Sequence, residues 1–383
     1  MLYYLSQYLI DASAGTAWEN QVSGLRLFRY ITFRSAGAAV TALLLSLWFG
    51  PRVIAFLKEL SFGQNYRDRA EVAGNLTSRE PGKKFGTPTM GGLLIVLTLN
   101  LTTLLWAQWN TLVQLVVVAV VVLAALGFYD DYTKIIKASS GGAKSHVKLY
   151  VQIALALFIG SYLWYSPATQ KLITEIMVPF YKYPIATGAG GAGLALTILT
   201  VVGSSNAVNL TDGLDGLAIG CTLIVGFVFL VLTYAAGNFE ISKYLQIPHV
   251  PGAGELTVFC AAMCGAGLGF LWFNCHPAQV FMGDTGSLAL GGALGVMAVL
   301  IHQPLVLLIA GGVFVMEAVS VILQTTYFRY TRKRYGQGKR LFLMAPLHHH
   351  YEKKNWHETQ VVMRFYILCL LFAVLALSSL KIR

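Results

Sequence analysis

Apolar residues are gathered into ten runs, at about 36–57, 90–108, 112–129, 149–165, 193–208, 217–236, 255–273, 286–301, 304–326 and 361–380. A helix that crosses the hydrocarbon layer needs about 20 such residues, so the pattern predicts ten transmembrane helices joined by polar loops. Runs such as Leu112 to Leu126 are apolar on every helical face, whereas the strands of a membrane barrel alternate polar with apolar. The fold class is therefore an all-α polytopic membrane protein, read as one integral domain over 1–383 with a ten-helix bundle over 36–380. Residues 1–30 mix Tyr3, Tyr4, Tyr8, Leu9 and Ile10 with Asp11, Glu19, Arg26 and Arg29, which predicts an interfacial segment. The first basic residue is Arg26, so no cleaved leader is expected.

Composition sharpens this picture. Of 383 residues 56% are hydrophobic and only 12% charged, and the mean hydropathy is +0.62. Soluble domains carry about a quarter charged residues, so a disordered chain and an ordinary water-soluble enzyme are both excluded. The net charge is +11, from 28 Lys and Arg against 17 Asp and Glu. In a membrane protein this points first to basic cytoplasmic loops, second to anionic substrates, and not to nucleic acid. Eighteen of the basic residues follow odd-numbered runs and eight lie on the other side, with Arg52 and Arg364 in or beside spans. The odd loops are then cytoplasmic and both termini extracytoplasmic. The five cysteines lack metal-ligand spacing and read as inert thiols, mostly inside apolar runs.

The polar motifs fall on one side of this topology. Asp130 and Asp131 end the third run, Asn209, Asp212 and Asp215 follow the fifth, Asn274 and Asp284 follow the seventh, and His348, His349 and His350 follow the ninth. Scattered solvating carboxylates would divide between the two faces, so the clustering predicts a single cytoplasmic site. Asp212 and Asp215 are three apart and share a face if helical, with glycines beside each. Asp130 and Asp131 diverge by about 100° on a helix and have different tasks. Carboxylates without Cys/His spacing suit a hard cation such as Mg²⁺, which takes one or two carboxylates together with phosphate oxygens. The histidines read either as phosphate donors or proton carriers, or as an interfacial polar turn. Glu317, inside the ninth run, reads equally as a packing hydrogen bond or a functional group. Lys84, Thr89 and Lys148 stand on the same face, where basic groups hold diphosphate or simply set topology.

These residues carry a resemblance. The segments Lys84 to Gly92, Leu126 to Tyr132, Ser205 to Leu217, Phe281 to Ser287 and Met344 to Glu352 occur in order with spans between them. Together they resemble the polyprenyl-phosphate N-acetylhexosamine-1-phosphate transferase superfamily. The Pro346-Leu-His-His-His350 segment is similar to its muramoyl-pentapeptide branch. The resemblance implies a ten-helix, Mg²⁺-dependent enzyme of the bacterial plasma membrane, a homodimer with its site on the cytoplasmic face. Its substrates would be UDP-N-acetylmuramoyl-pentapeptide and undecaprenyl phosphate, and its products lipid I and UMP, the first membrane step of peptidoglycan synthesis.

The resemblance also implies roles. Asp284 and Asp131 are the metal ligands, and Asp130, Asp131, Asp284 and His348 the catalytic group. Lys84, Thr89, Lys148, Asn209, Asp212, Asp215, Asn274, Phe281, Gln324 and His349 bind substrate, with Phe281 stacking on uracil and Gln324 hydrogen-bonding it. Direct attack by the lipid phosphate and a covalent phospho-aspartate route both stay open. Residues 64–81 and 139–146 depart from the family pattern. A sister transferase using UDP-N-acetylglucosamine, a secondary transporter and a non-catalytic scaffold are the rival readings.

Overall fold

The computed structural model describes residues 1–13, 19–72, 87–137 and 142–381, with side chains except at 19, 61–72 and 136–137. Thirteen helices carry the fold. They are α1 (Leu2–Ser13), α2 (Ile31–Val72), α3 (Gly92–Trp106), α4 (Thr111–Lys137), α5 (Ser145–Tyr165), α6 (Gly190–Thr211), α7 (Leu217–Gly237), α8 (Gly254–Asn274), α9 (Gly283–Leu300), α10 (Pro304–Ala310), α11 (Gly312–Tyr335), α12 (Leu347–Lys353) and α13 (Glu358–Ser378). Shorter helical pieces at Glu19–Val22, Ser23–Arg29, Lys171–Thr174 and Phe239–Leu245 lie between them.

All ten apolar runs lie on helices, and among the described residues eight helices are long and apolar enough to cross a membrane. The other two runs depart from a simple span. The run at 90–108 forms the 15-residue α3, shorter than the usual crossing length. The run at 304–326 is not one helix, because the chain turns by 85° between α10 and α11. Pro304 opens α10, where its missing N–H costs nothing, and Gly311 occupies the break.

The centre of the bundle is α9, buried along nearly its whole length. Its neighbours are α4 and α6, while α8 is packed between α2 and α7. The sequence explains that position. Gly286, Ala289, Gly291, Gly292, Ala293, Gly295 and Ala298 leave α9 narrow, and narrow helices let backbones approach closely where the surrounding solvent is already apolar. Leucine, valine and phenylalanine side chains face outward from the peripheral helices, as at Leu199, Phe227 and Val374.

The two ends of the bundle differ. At one end lie Asp130, Asp284 and Asn209. At the other, the Met1 ammonium donates to the Leu104 carbonyl at 2.9 Å, and the Lys381 ammonium stands 3.6 Å from the Tyr244 ring. Met1 and Lys381 therefore lie at the end remote from the acidic residues. Arg34 is at this end too. Sequence reading counts it among the face cations, but it is 1% exposed and makes a bidentate pair with Glu255, both contacts 2.6 Å. Gln108 N–H also donates to Glu255 at 2.8 Å.

This pair locks the starts of α2 and α8 together. Removing one partner of a buried pair leaves the other charged and unmatched, which costs about 3–5 kcal/mol. Glu255→Gln is expected to lower the thermal unfolding midpoint in detergent while leaving the remote acidic site able to turn over below that temperature.

Candidate active site

Asp130 and Asp131 close the cytoplasm-predicted end of α4, and the helix twist sends them to different partners. Asp131 reaches across to the start of α9. Its Oδ1 accepts from Asp284 N–H at 3.2 Å, and its Oδ2 accepts from Thr285 N–H at 3.0 Å and Thr285 Oγ1 at 2.8 Å. It thus satisfies two of the N–H groups that the first turn of a helix leaves orphaned. A carboxylate has about four acceptor positions, so Asp131 retains about one for anything else. The approach that makes this possible is at Gly127, one turn earlier, where a Cβ would stand 2.2 Å from the Asp284 carbonyl oxygen.

Asp130 instead faces α5. Its Oδ2 lies 2.5 Å from Lys134 Nζ and 2.9 Å from Lys148 Nζ, and its Oδ1 accepts from Ala143 N–H at 2.7 Å. Lys148 continues to Asp284 Oδ2 at 2.5 Å, with Lys134 3.4 Å from the same oxygen. Asp284 Oδ1 accepts from Asn209 Nδ2 at 2.9 Å, and that amide also meets Ser287 Oγ at 2.9 Å. Asp130, Asp131, Asp284, Lys148 and Asn209, spread over 155 residues of sequence by their numbers, therefore form one cluster. Lys134 belongs to it as well. Sequence reading assigned it to topology, although its position four residues after Asp130 was the available signal.

Ligand oxygens of Asp130, Asp131 and Asp284 lie within 4.8 Å of one another. An all-oxygen carboxylate set of this kind fits a hard cation. The two ammonium groups leave the three carboxylates incompletely neutralised, so an incoming phosphate meets a cluster that still favours a further positive charge.

Beside the cluster opens a cleft of about 330 Å³, lined by Thr89, Asp131, Lys134, Asn209, Asp212, Gly213, Leu214, Asn274, Phe281, Gly283 and Asp284. Phe281 is held by its backbone, whose N–H donates to Pro88 and whose carbonyl accepts from Gly91 N–H. Asn274 is buried and ties the walls together, donating to Val280 O at 2.8 Å and accepting from Gly216 N–H at 3.1 Å. Asp212 has its carboxyl pushed up to about 7, first by loss of water and then by repulsion from Asp284 and Asp131.

Three further sequence-predicted residues do not line this cleft and make other contacts. Asp215 turns behind the cleft, accepting from Ala278 N–H at 3.0 Å and facing His276 Nδ1 at 3.2 Å. Gln324 holds the segment after α11, accepting from Leu341 N–H at 3.0 Å and Phe342 N–H at 2.9 Å. His349 pairs with Glu352 at 2.6 Å. His348 is fully buried, its ring directed at Gly213 on the cleft wall, where a Cβ would stand 2.2 Å from Nε2. Glu317 stands behind it. Lys84 lies outside the described residues.

Comparison with known proteins agrees with this architecture. Residues 113–302, from α4 to the end of α9, match the family model for glycosyl transferase family 4. Residues 84–96 match the phospho-N-acetylmuramoyl-pentapeptide-transferase signature 1. The chain is 48% identical to the phospho-N-acetylmuramoyl-pentapeptide-transferase of Methylacidiphilum infernorum (isolate V4), covering 100% of each. It is also 48% identical to the protein of that name from Desulfotalea psychrophila, over 94% of this chain and 96% of the relative. The chain belongs to the phospho-N-acetylmuramoyl-pentapeptide-transferase family.

Proposed function

We propose that the protein transfers phospho-N-acetylmuramoyl-pentapeptide from its UDP carrier to undecaprenyl phosphate, giving lipid I and UMP. The reaction takes place at the cytoplasmic face of the bacterial plasma membrane, and the working form is a homodimer. The observation that carries this reading is that the end of α6 lines two unlike spaces. The polar cleft ends at Asn209, and directly beside it Val208 and Ala207 begin an apolar groove of about 340 Å³ along α6, α9, α10 and α11. The groove owes its shape to the bend at Gly311, with Leu199, Leu294, Leu308 and Phe314 along its walls. The apolar groove suits part of a prenyl chain and the polar cleft suits the diphosphate end of a nucleotide-sugar, an arrangement that would bring their phosphates towards Asn209 and Asp284.

One diphosphate linkage is exchanged for another, so the protein's task is positioning and charge stabilisation. Asp284 and Asp131, with Asp130 beside them, would hold Mg²⁺, which when bound would neutralise charge on the phosphate oxygens. Lys148 and Lys134 hold these carboxylates in register and stand ready to pair with the entering phosphates. Asn209 fixes the Asp284 rotamer. Phe281 offers its ring to the base, and the cleft walls at Asp212 and Asn274 face the sugar. The lipid phosphate attacks the sugar-linked phosphorus directly and UMP departs.

Release of UMP by purified protein with undecaprenyl phosphate and Mg²⁺ tests the donor. Turnover with UDP-N-acetylmuramoyl-pentapeptide and not with UDP-N-acetylglucosamine is the expected result; the reverse preference moves the chain to the sister activity.

The position of Asp212 gives a pH prediction. Below about pH 7 its carboxyl carries a proton, and above it the charge is present to favour a nearby cation. Mn²⁺ affinity, read by electron paramagnetic resonance as a stand-in for Mg²⁺, is expected to rise between about pH 6 and 8. Asp212→Asn flattens that rise; an unchanged pH profile in the variant removes Asp212 from the cation's surroundings.

A further inference from the structure

Glu317 lies inside α11 and is completely buried, 31 residues before the histidine segment by sequence number. Its two oxygens are directed at the start of α12. Oε2 accepts from Leu347 N–H at 2.6 Å, Oε1 accepts from His348 N–H at 3.2 Å, and the same Oε1 faces His348 Nδ1 at 3.2 Å. A carboxylate accepts and does not donate. The ring nitrogen facing it therefore carries the hydrogen, and in the neutral imidazole the second ring nitrogen is left with a lone pair.

That second nitrogen, Nε2, is buried and has no hydrogen-bond partner among the described residues. It is aimed at Gly213, which has no side chain to intervene and forms part of the cleft wall. A buried acceptor without a donor is costly in a resting protein, and at a site it marks a place where a ligand supplies what is missing. The neighbouring His349 does not share the arrangement, because its own Nδ1 is paired with Glu352 near the surface.

We infer that Glu317 is a positioning residue, fixing His348 as the Nδ1–H tautomer so that its Nε2 lone pair accepts a hydrogen bond from the substrate at the Asp212–Gly213 turn. This rests on the transferase reading. The donor is an O–H or N–H group of the bound substrate seated over Gly213. Glu317 also ties down the first turn of α12, so its replacement by Ala would mix loss of the helix start with loss of the tautomer. Glu317→Gln separates the two. The amide keeps the side chain's volume and, with its oxygen on Leu347 N–H, the main tie to the start of α12; its NH₂ group then stands where Oε1 stood, gives up the His348 N–H bond and donates to Nδ1, which drives the hydrogen to Nε2.

The test combines a spectrum with a rate. In protein carrying ¹⁵N-labelled histidine, with His348 assigned by difference from a His348→Gln variant, the wild-type ring is expected to show a protonated Nδ1 and a bare Nε2. Glu317→Gln is expected to reverse that pattern and lower kcat for UMP release about a hundredfold, as loss of a positioned acid–base group does, with KM for both substrates within about threefold. A wild-type ring protonated at Nε2 overturns the proposal without reference to any variant. So does a variant whose tautomer reverses while kcat is unchanged. Wild-type protein that releases no UMP from either donor overturns the transferase reading instead, and the ring spectrum still decides whether Glu317 sets the tautomer.

Discussion

Asp284→Ala and Asp284→Asn are both expected to reduce turnover by about three orders of magnitude or more, the upper range for losing one group that stabilises transition-state charge. Asp284 is the member of the cluster on which the others converge. One oxygen is held by Asn209 and the other by Lys148, with Lys134 close to the second. Asn preserves the shape and removes the charge, so a comparable loss in both variants assigns the effect to charge. The fold does not depend on this side chain, because the start of α9 is secured by Asp131 through the Thr285 N–H and hydroxyl and the Asp284 N–H. Circular dichroism and thermal unfolding in detergent are expected to stay near wild type. Near-normal turnover by the Asn variant contradicts the assignment.

Gly127→Ala is expected to damage both stability and catalysis, although residue 127 itself meets no substrate. A methyl group there stands 2.2 Å from the Asp284 carbonyl oxygen, 2.4 Å from its carbon and 2.5 Å from Thr285 N, all backbone atoms of the first turn of α9. Backbone in the centre of a packed bundle cannot swing aside as a side-chain tip does, so α4 and α9 must separate by about 1 Å. Overpacking of this kind costs about 1–3 kcal/mol. The separation also lengthens the hydrogen bonds between Asp131 and α9, and a 1 Å misplacement lowers catalysis about a hundredfold. Gly191→Ala is the control, since a Cβ at that position meets nothing within 4 Å. Equal behaviour of the two variants in unfolding and turnover assays contradicts the close-approach argument.

The different fates of these residues show what the amino-acid pattern carries. Spans were legible because burial in lipid demands apolar residues on all faces of a helix, and nine of the ten runs from 36–57 to 361–380 follow a single helix, the run at 304–326 being divided between two. The gathering of Asp130, Asp131, Asp284 and Asn209 was legible because all stand at corresponding ends of successive spans. Individual roles inside the cluster came from the family resemblance, not from spacing.

What was not legible depends on partners from distant segments. Lys134 looked like one more topology charge until α9 placed Asp284 beside it, next to Asp130 on its own helix. Arg34 became a buried ion pair only because Glu255 starts a helix 221 residues away. The break between α10 and α11 was masked by uniform hydropathy on both sides of Gly311.

The most direct measurement follows the products of a single reaction. Purified protein is incubated with UDP-N-acetylmuramoyl-pentapeptide, undecaprenyl phosphate and Mg²⁺, and the nucleotide and the lipid are quantified together by mass spectrometry, with a chelated control. The account predicts UMP and a lipid-linked sugar diphosphate in equal amounts, both lost on chelation. Release of UDP in place of UMP, or UMP without the lipid product, contradicts it.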